Sequence, residues 1–327
     1  MTQSQVSPPA LAADCAWIVG PHLVNHLDGQ LRLYPHQAPS DPSVVQVVKQ
    51  RSSGSESDRA LRNLHPQDLL DEAGLRGRPI VVSGHQPSYH AYIPLLCKAA
   101  ATDVFTFADD MAFGRQKFQH RQRVPVDGVN RWMTLPVLRS KGRCSIGSKC
   151  LDPEPAWRHA HWELLQRAFA ALPYFDLVGD FYEQVYQATW RTVAEIDHAL
   201  WIPLALQLCP STLSWNSSTI PFDRDGRKGD RIAAELGAVA PFGGTYLAGG
   251  ASDYLNDPSD EHPGLTYQQV IELAGFEILR PYIDVEVFGE CTPTTASATA
   301  VELIAREGRA APEILRCSTR FDPMPSP

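Results

Sequence analysis

The stretch from Pro79 to Asp110 constrains this chain more than any other. It reads as an uninterrupted β-branched strand (Pro79–Ser83), a polar turn, an alanine-rich helix from about Ala91 to Ala101, and a second strand in "DVFTFADD". Strand, turn, helix and strand within about 30 residues outline a βαβ unit, which favours a parallel sheet. The turn is "HQPSYH", His85 to His90. Its side chains hydrogen-bond, bind metal or move protons, and none is needed merely to reverse a chain. The turn therefore reads as one wall of a pocket.

Composition bounds what surrounds that unit. A chain of 327 residues, 43% hydrophobic and 20% charged, is long enough for one large domain or two smaller ones and has the balance of a soluble protein. Its longest apolar candidate, "HALWIPLALQLC", contains a proline and falls short of the ~20 residues of a membrane span. "MTQSQVSPPALAADC" has no basic residue ahead of its apolar part, so no secretory signal is expected and the expected compartment is the cytoplasm. The cysteines (Cys15, Cys97, Cys144, Cys150, Cys209, Cys291, Cys317) are odd in number and form no CxxC pair, which indicates neither a disulfide framework nor a structural zinc site. A net charge of −8 argues against general nucleic-acid binding.

Residues 1–77 read as an N-terminal extension with a flexible loop between Ser40 and Arg59, where Ser, Pro and polar residues crowd. Beyond the βαβ unit, Arg131–Leu138 reads as a strand. Asp152 before Pro153 reads as the start of a helix carrying Trp157, His161, Leu164, Ala168 and Phe169 on one face. A long helix is expected from Phe181 to about Trp201, ending before Pro203. "RKGDRIAAELGA" reads as another helix, stopped by Gly237, and Thr299-x-x-Glu302 has capping-box spacing, with Gly308 at that helix's end. The reading is α/β: a mostly parallel sheet with flanking helices, a Rossmann-like opening βαβ and a helical C-terminal half. Residues 78–312 form the catalytic domain, and 313–327 a C-terminal tail.

Chemistry concentrates after the second strand. From Arg115 to Arg143 lie Arg115, Lys117, Arg121, Arg123, Arg131, Arg139, Lys141 and Arg143, against Asp127 alone. Such a field gathers anionic ligands, and arginines fork onto carboxylate or phosphate oxygens. The plain alternative is a solvated basic face balanced by acids elsewhere. Asp109 and Asp110 sit at the carboxyl end of the second strand, where open α/β sheets bind ligands. His85, Gln86, Tyr89, Asp109 and Asp110 would then converge on one crevice beside the basic loop. Paired carboxylates near histidine and arginine can hold a divalent cation, orient a base or bind an amine; alone, each Asp is as well explained as a turn residue or helix cap. His90 and His120 fit hydrogen-bonded structure at least as well as catalysis, and His159 and His161 read as surface. Gly243, Gly244, Gly249 and Gly250 could bring backbone close to a ligand but do not have phosphate-loop spacing.

The segment "VVSGHQPSYHAYIPLLCKAAATDVFTFADDMAFGRQKFQHRQRV" resembles the opening of the WbqC-like proteins. His85, Gln86, Pro87, Tyr89, Asp103, Phe105, Asp109, Asp110, Phe118 and Arg121 fall on that pattern. Looser echoes follow in order: "TLPV", Trp157 and His161, Ser217 and Ser218 in "NSSTI", Asp230 and Arg231, "TYLAGGASDYL" with Tyr246 and Asp253, and Thr299 with Glu302. The likeness covers about residues 79–309; this chain has His120 where the family commonly has Asn, and Glu302 where it has Asp. The resemblance implies a cytoplasmic tailoring enzyme of polysaccharide (O-antigen type) or natural-product biosynthesis, acting on a small anionic or carrier-linked substrate.

Three readings stay open. In a group-transfer enzyme, His85 would be the general base, Asp109 or Asp110 would orient it, His120 would stand near, and Arg115, Lys117, Arg121 and Arg123 would anchor an acyl or aminoacyl substrate, with Gln86, Tyr89, Ser217, Ser218, Tyr246 and Asp253 lining the site. An HxGH-type nucleotidyltransferase is a narrower form of this, although the histidines here are spaced HxxxxH. A lyase or cyclase would use His85 and Asp110 without a cosubstrate. The third reading is a non-catalytic small-ligand binding protein. The cofactor is unknown, a metal held by His85, Asp109, Asp110 and His120 is open, nucleic acid and membrane are not expected partners, and a homodimer is open.

Overall fold

The computed structural model describes residues 15–19, 22–27, 30–35, 45–49, 61–64, 70–71, 74–209, 212–249, 253–283 and 299–323. Strands β1 (Cys15–Val19), β2 (His22–Leu27), β3 (Gln30–Pro35), β4 (Val45–Lys49) and β5 (Leu61–Leu64) pair antiparallel in the order β3-β2-β1-β4-β5. The N-terminal stretch thus contains a sheet that its Ser- and Pro-rich composition does not announce. β4 falls inside the loop expected at 40–59, and the remainder of that loop lies outside the described residues.

The main sheet holds β6 (Ile80–His85), β7 (Val104–Phe107), β10 (Leu213–Asn216), β11 (Gly244–Leu247), β12 (Phe276–Ile283) and β13 (Thr319–Pro323), in the order β10-β7-β6-β11-β12-β13. The first five in that order are parallel, and β13 returns antiparallel on β12, so the stretch set apart as a C-terminal tail supplies the last strand. β8 (Arg121–Val126) and β9 (Val129–Thr134) form a separate antiparallel hairpin. From β6 the chain steps to β7 and on to β10, then crosses back to place β11 on the other side of β6. The direction of winding therefore reverses between β6 and β11, a topological switch point.

Helices cover both faces of the main sheet. Alternate strand residues sort between two cores, as the pleat requires. Ile80, Val82, Val104, Trp215, Phe276 and Ile278 pack with α5 (Lys228–Val239) and α6 (Tyr267–Leu273). Phe105 and Phe107 face the other way, onto α1 (Ile93–Ala100), α2 (Ala156–Phe169), α3 (Asp176–Gln187), α4 (Val193–Leu208), α7 (Ala300–Glu307) and α8 (Ala311–Cys317). In α1, Ile93, Leu95, Leu96 and Ala99 are all buried. The three large side chains contribute about 1.5–3 kcal/mol each.

Several boundaries differ from the sequence expectations. β9 lies at Val129–Thr134, two residues earlier at its start than the strand read at 131–138. α2 begins at Ala156 because Pro153 and Pro155 delay it; Asp152 Oδ1 instead accepts from the Glu154 N–H. The long helix read from Phe181 is two helices, parted at Ala188–Thr192. There Thr192 and Glu195 make a reciprocal capping box that starts α4, which runs through Pro203 to Leu208. Gly237 does not stop α5, which reaches Val239. At α7 the Thr299 side chain accepts from the Glu302 N–H, while the Glu302 carboxylate turns to Arg306. Gly243 and Gly244 have positive φ and serve sheet entry: a Cβ on Gly244 would lie 2.0 Å from the Ile80 carbonyl oxygen.

α5 and α6 cross where Gly229 meets Tyr267, and a Cβ there would stand 2.2 Å from the tyrosine Cβ. Gly229→Ala is expected to lower stability by about 1–3 kcal/mol. The denaturation midpoint should shift while the far-ultraviolet circular dichroism of the folded protein is kept; an unchanged midpoint would refute this contact.

Candidate functional site

His85 ends β6 at the switch point. Its backbone is pinned, because the Ala108 N–H donates to the His85 carbonyl at 3.0 Å, continuing the ladder to β7. The preceding residue must be glycine: a Cβ on Gly84 would fall 2.4 Å from Thr106 Oγ1. The imidazole is held at both nitrogens. Nδ1 lies 2.7 Å from the Gln86 carbonyl oxygen, which can only accept, so Nδ1 carries the proton. Nε2 is then an acceptor, 3.2 Å from the Tyr92 hydroxyl. Burial, helped by the nearby Lys98 ammonium, lowers the His85 pKa to about 4, so the ring is neutral at pH 7.

Lys98 is a further site residue, one that the sequence reading passed over. It lies in the last turn of α1, is 5% exposed, and donates from Nζ to the Gly84 carbonyl at 2.7 Å. Burial brings its pKa down to about 8. No carboxylate pairs with it among the described residues. The signal was available: a lone lysine in the otherwise apolar helix "IPLLCKAA".

The HQPSYH turn docks onto the start of the basic segment. The Tyr89 N–H donates to the Phe118 carbonyl, Gln119 Nε2 donates to Gln86 Oε1 at 2.7 Å, and Gln122 Nε2 donates to the His90 carbonyl. From His85 a line of rings leads outward: Tyr92 at 6.0 Å, Phe118 a further 5.8 Å on, and Trp132 6.2 Å beyond that. Trp132 is 39% exposed on β9, with the Arg121 and Arg123 guanidinium carbons over its ring at 4.2 and 4.4 Å. Arg121 also donates to the Gln116 carbonyl, which ties the Arg115–Lys117 loop to the same place. Arg115, Lys117 and Arg123 are exposed. His120 points the opposite way, buried edge-on against Phe113 with Nδ1 unpaired; burial and the surrounding cations Arg121, Lys149 and Arg115 lower its pKa.

Asp109 and Asp110 stand at the same crest but are already engaged. Ser218 donates to Asp109 twice, through N–H at 2.9 Å and Oγ at 2.6 Å. Asp110 is bracketed by Arg231 at 2.7 Å and Arg224 at 2.9 Å, both stacked on Phe222. Ser217 donates to the buried Glu235 carboxylate at 2.6 Å. The acids are thus paired with arginines from beyond β10 and with serines, and not with the 115–143 arginines. They brace the loop after β7 against the loop after β10. Among the described residues no group of three His, Cys, Asp or Glu is placed to hold a metal.

The remaining expected residues are elsewhere. Tyr89 turns into the helical core in a hydrogen-bonded chain, His161 Nδ1–Tyr89–Tyr186–His90 Nε2, with contacts of 2.8, 2.6 and 2.7 Å. His161 is therefore buried; of the two helical histidines only His159 is at the surface. Burial lowers His161 to about 4 and His90 to about 3, and pushes the carboxyl of nearby Asp197 well above its usual range. Tyr246 is buried in β11, in the core on the sheet's other face, and Asp253 is exposed and pairs with Arg280 at 3.4 Å.

Two predictions follow from this geometry. The unfolded imidazoles take up protons near pH 6.5, whereas His85, His90 and His161 do so only near 3 to 4. The unfolded chain then binds more protons across that window, so stability, complete above pH 6.5, should fall as pH drops toward 4. Chemical denaturation at pH 7 and 4.5 checks it, and equal midpoints would contradict it. Asp110→Asn should cost about 3 kcal/mol by leaving Arg224 and Arg231 poorly paired, whereas Arg123→Ala should leave the midpoint nearly unchanged.

A 109-residue segment is 29% identical to a protein described as "Uncharacterized protein Rv1507c" from Mycobacterium tuberculosis, covering 33% of this chain and 45% of that protein. The chain thus spans less than half the length of that relative. No solved structure matches. The model of the WbqC-like protein family matches residues 86–272, more than half of the chain, starting at the residue after His85, and the chain belongs to that family.

Proposed function

We propose that the protein is a cytoplasmic tailoring enzyme of a natural-product or polysaccharide pathway. It transfers an acyl- or aminoacyl-type group to or from a small anionic or carrier-linked substrate. One observation carries this reading: a neutral imidazole at a topological switch point, its tautomer set by a backbone carbonyl so that the Nε2 lone pair is the proton acceptor. His85 Nε2 takes the proton of the attacking amine or hydroxyl. Arg115, Lys117, Arg121 and Arg123 hold the substrate's phosphate or carboxylate and oppose charge that grows as the group transfers. The Gln86 carbonyl orients the base, the role first expected of Asp109 or Asp110. Among the described residues no helix is long and apolar enough to cross a membrane.

Coenzyme A, ATP and a sugar nucleotide each test the anion site. At a concentration of about 100 times Kd, a bound one stabilises the fold by about 2.7 kcal/mol, visible as a raised Tm. The Arg121→Ala/Arg123→Ala variant should lose that shift, while His85→Ala should keep it and lose turnover. With a substrate in hand, kcat/KM should rise with pH along an acid limb near pH 4 and not near 6.5. If none of the three anions moves Tm, the reading fails; if His85→Ala leaves pathway output intact, the protein is a binder and not an enzyme.

A further inference from the structure

The cations from Arg115 to Arg143 are more numerous than one small anion needs. Arg115, Lys117, Arg123, Arg131, Arg139, Lys141 and Arg143 are all exposed, and none makes an ion pair among the described residues. The segment's one acid, Asp127, is spent on Arg167 of α2. All of these cations but Arg131, which pairs with buried Val124 and so lies on the hairpin face opposite Arg123, are also adjacent. Ser145 bridges to Ala112, and the Phe113 N–H donates to the Cys144 carbonyl, so the 138–145 loop lies beside the start of the 115–117 loop. The hairpin β8–β9 continues the face through Arg123 and its cross-strand neighbour Trp132. Leu138 adds exposed apolar area at 45%.

We propose that this face docks an acidic protein that carries the reacting group on a flexible arm. The charge calls for an extended anionic surface, because six exposed cations with no ion pair among the described residues repel one another on a chain of net −8. The exposed Trp132 and Leu138 supply the apolar contacts of a protein interface. A nucleic-acid strand fits less well. Its bases need a bare aromatic face to stack on, and the indole of Trp132 is occupied by guanidinium groups. The line of rings from Trp132 through Phe118 and Tyr92 leads from the docking face to His85, the path an arm would follow. That last step rests on the proposed function; the docking does not.

A holo-acyl carrier protein, a small acidic helical domain, serves as the probe, with binding followed by isothermal calorimetry. The variant Arg139→Glu/Lys141→Glu/Arg143→Glu leaves the substrate-holding arginines untouched, and Arg139→Gln/Lys141→Gln/Arg143→Gln provides a milder version if reversal harms folding. The expected result is binding to the wild type that weakens tenfold or more in the reversed variant, weakens less in the neutralised one, and declines with added salt. Any Tm shift given by coenzyme A should survive in both variants. No binding of the carrier protein to the wild type, or equal binding by the variants, overturns the proposal. So does a single-stranded oligonucleotide that binds more tightly than the carrier protein. If coenzyme A, ATP and the sugar nucleotide all leave the wild-type Tm unmoved, the proposed function fails and the docking result still stands.

Discussion

The parallel pairing of β6 with β7, His85 opposite Phe107, is the contact on which the rest of the crest depends. The ladder runs on past the strand ends to Ala108, so the two loops that follow are fixed relative to one another before any side chain is considered. That fixes where the imidazole at 85 begins, and Gly84 lets the strands approach closely enough for it. The ring's chemistry is then decided by what lies beneath. A carbonyl selects the protonated nitrogen, and burial, with the Lys98 ammonium adding to it, suppresses a second proton. A base that stays neutral well below its usual range gives up basicity and gains a constant charge state.

Charge in this molecule is segregated. Arg224 and Arg231 are folded inward onto Asp110 and Phe222, where they act as struts between the loops after β7 and β10. Of the 115–143 cations, all but half-buried Arg121 are exposed, and none has an ion pair among the described residues. Two sets of guanidinium groups at one end of a sheet thus do opposite work. The inner set exchanges water for carboxylate and rigidifies the crest. The outer set keeps its water until something anionic displaces it.

Much of the fold was legible in the sequence, because period and punctuation are local properties. The βαβ unit, the parallel sheet and the Thr299 cap follow from apolar runs, turn residues and one capping side chain, signals carried by short continuous stretches of chain. Helix limits were missed where a distant or paired residue decides them: Pro153 with Pro155 delayed α2, and the Thr192–Glu195 box restarted a helix that its apolar content alone would continue. At the site, the convergence of HQPSYH with the basic segment was visible, since both follow adjacent strands. The partners of the acids were not, because Arg224, Arg231 and Ser218 lie more than a hundred residues further along the chain. Tyr89 and His161 were misread for the same reason. Their hydrogen bonds run between a turn and two helices, although the helical spacing already set His161 on the apolar face with Trp157 and Phe169.

The reversal of direction at β13 has a consequence for solubility. β12 is eight residues long, and its outer row of amides and carbonyls would, if bare, be a template for another chain to extend. β13 occupies that row with Arg320 and Asp322, and places Pro323, which offers no N–H, opposite Leu279. The opposite margin, β10, offers only four residues. Between a short margin and a charged, proline-ended one, the sheet presents no long bare ladder along which copies of the protein could polymerise.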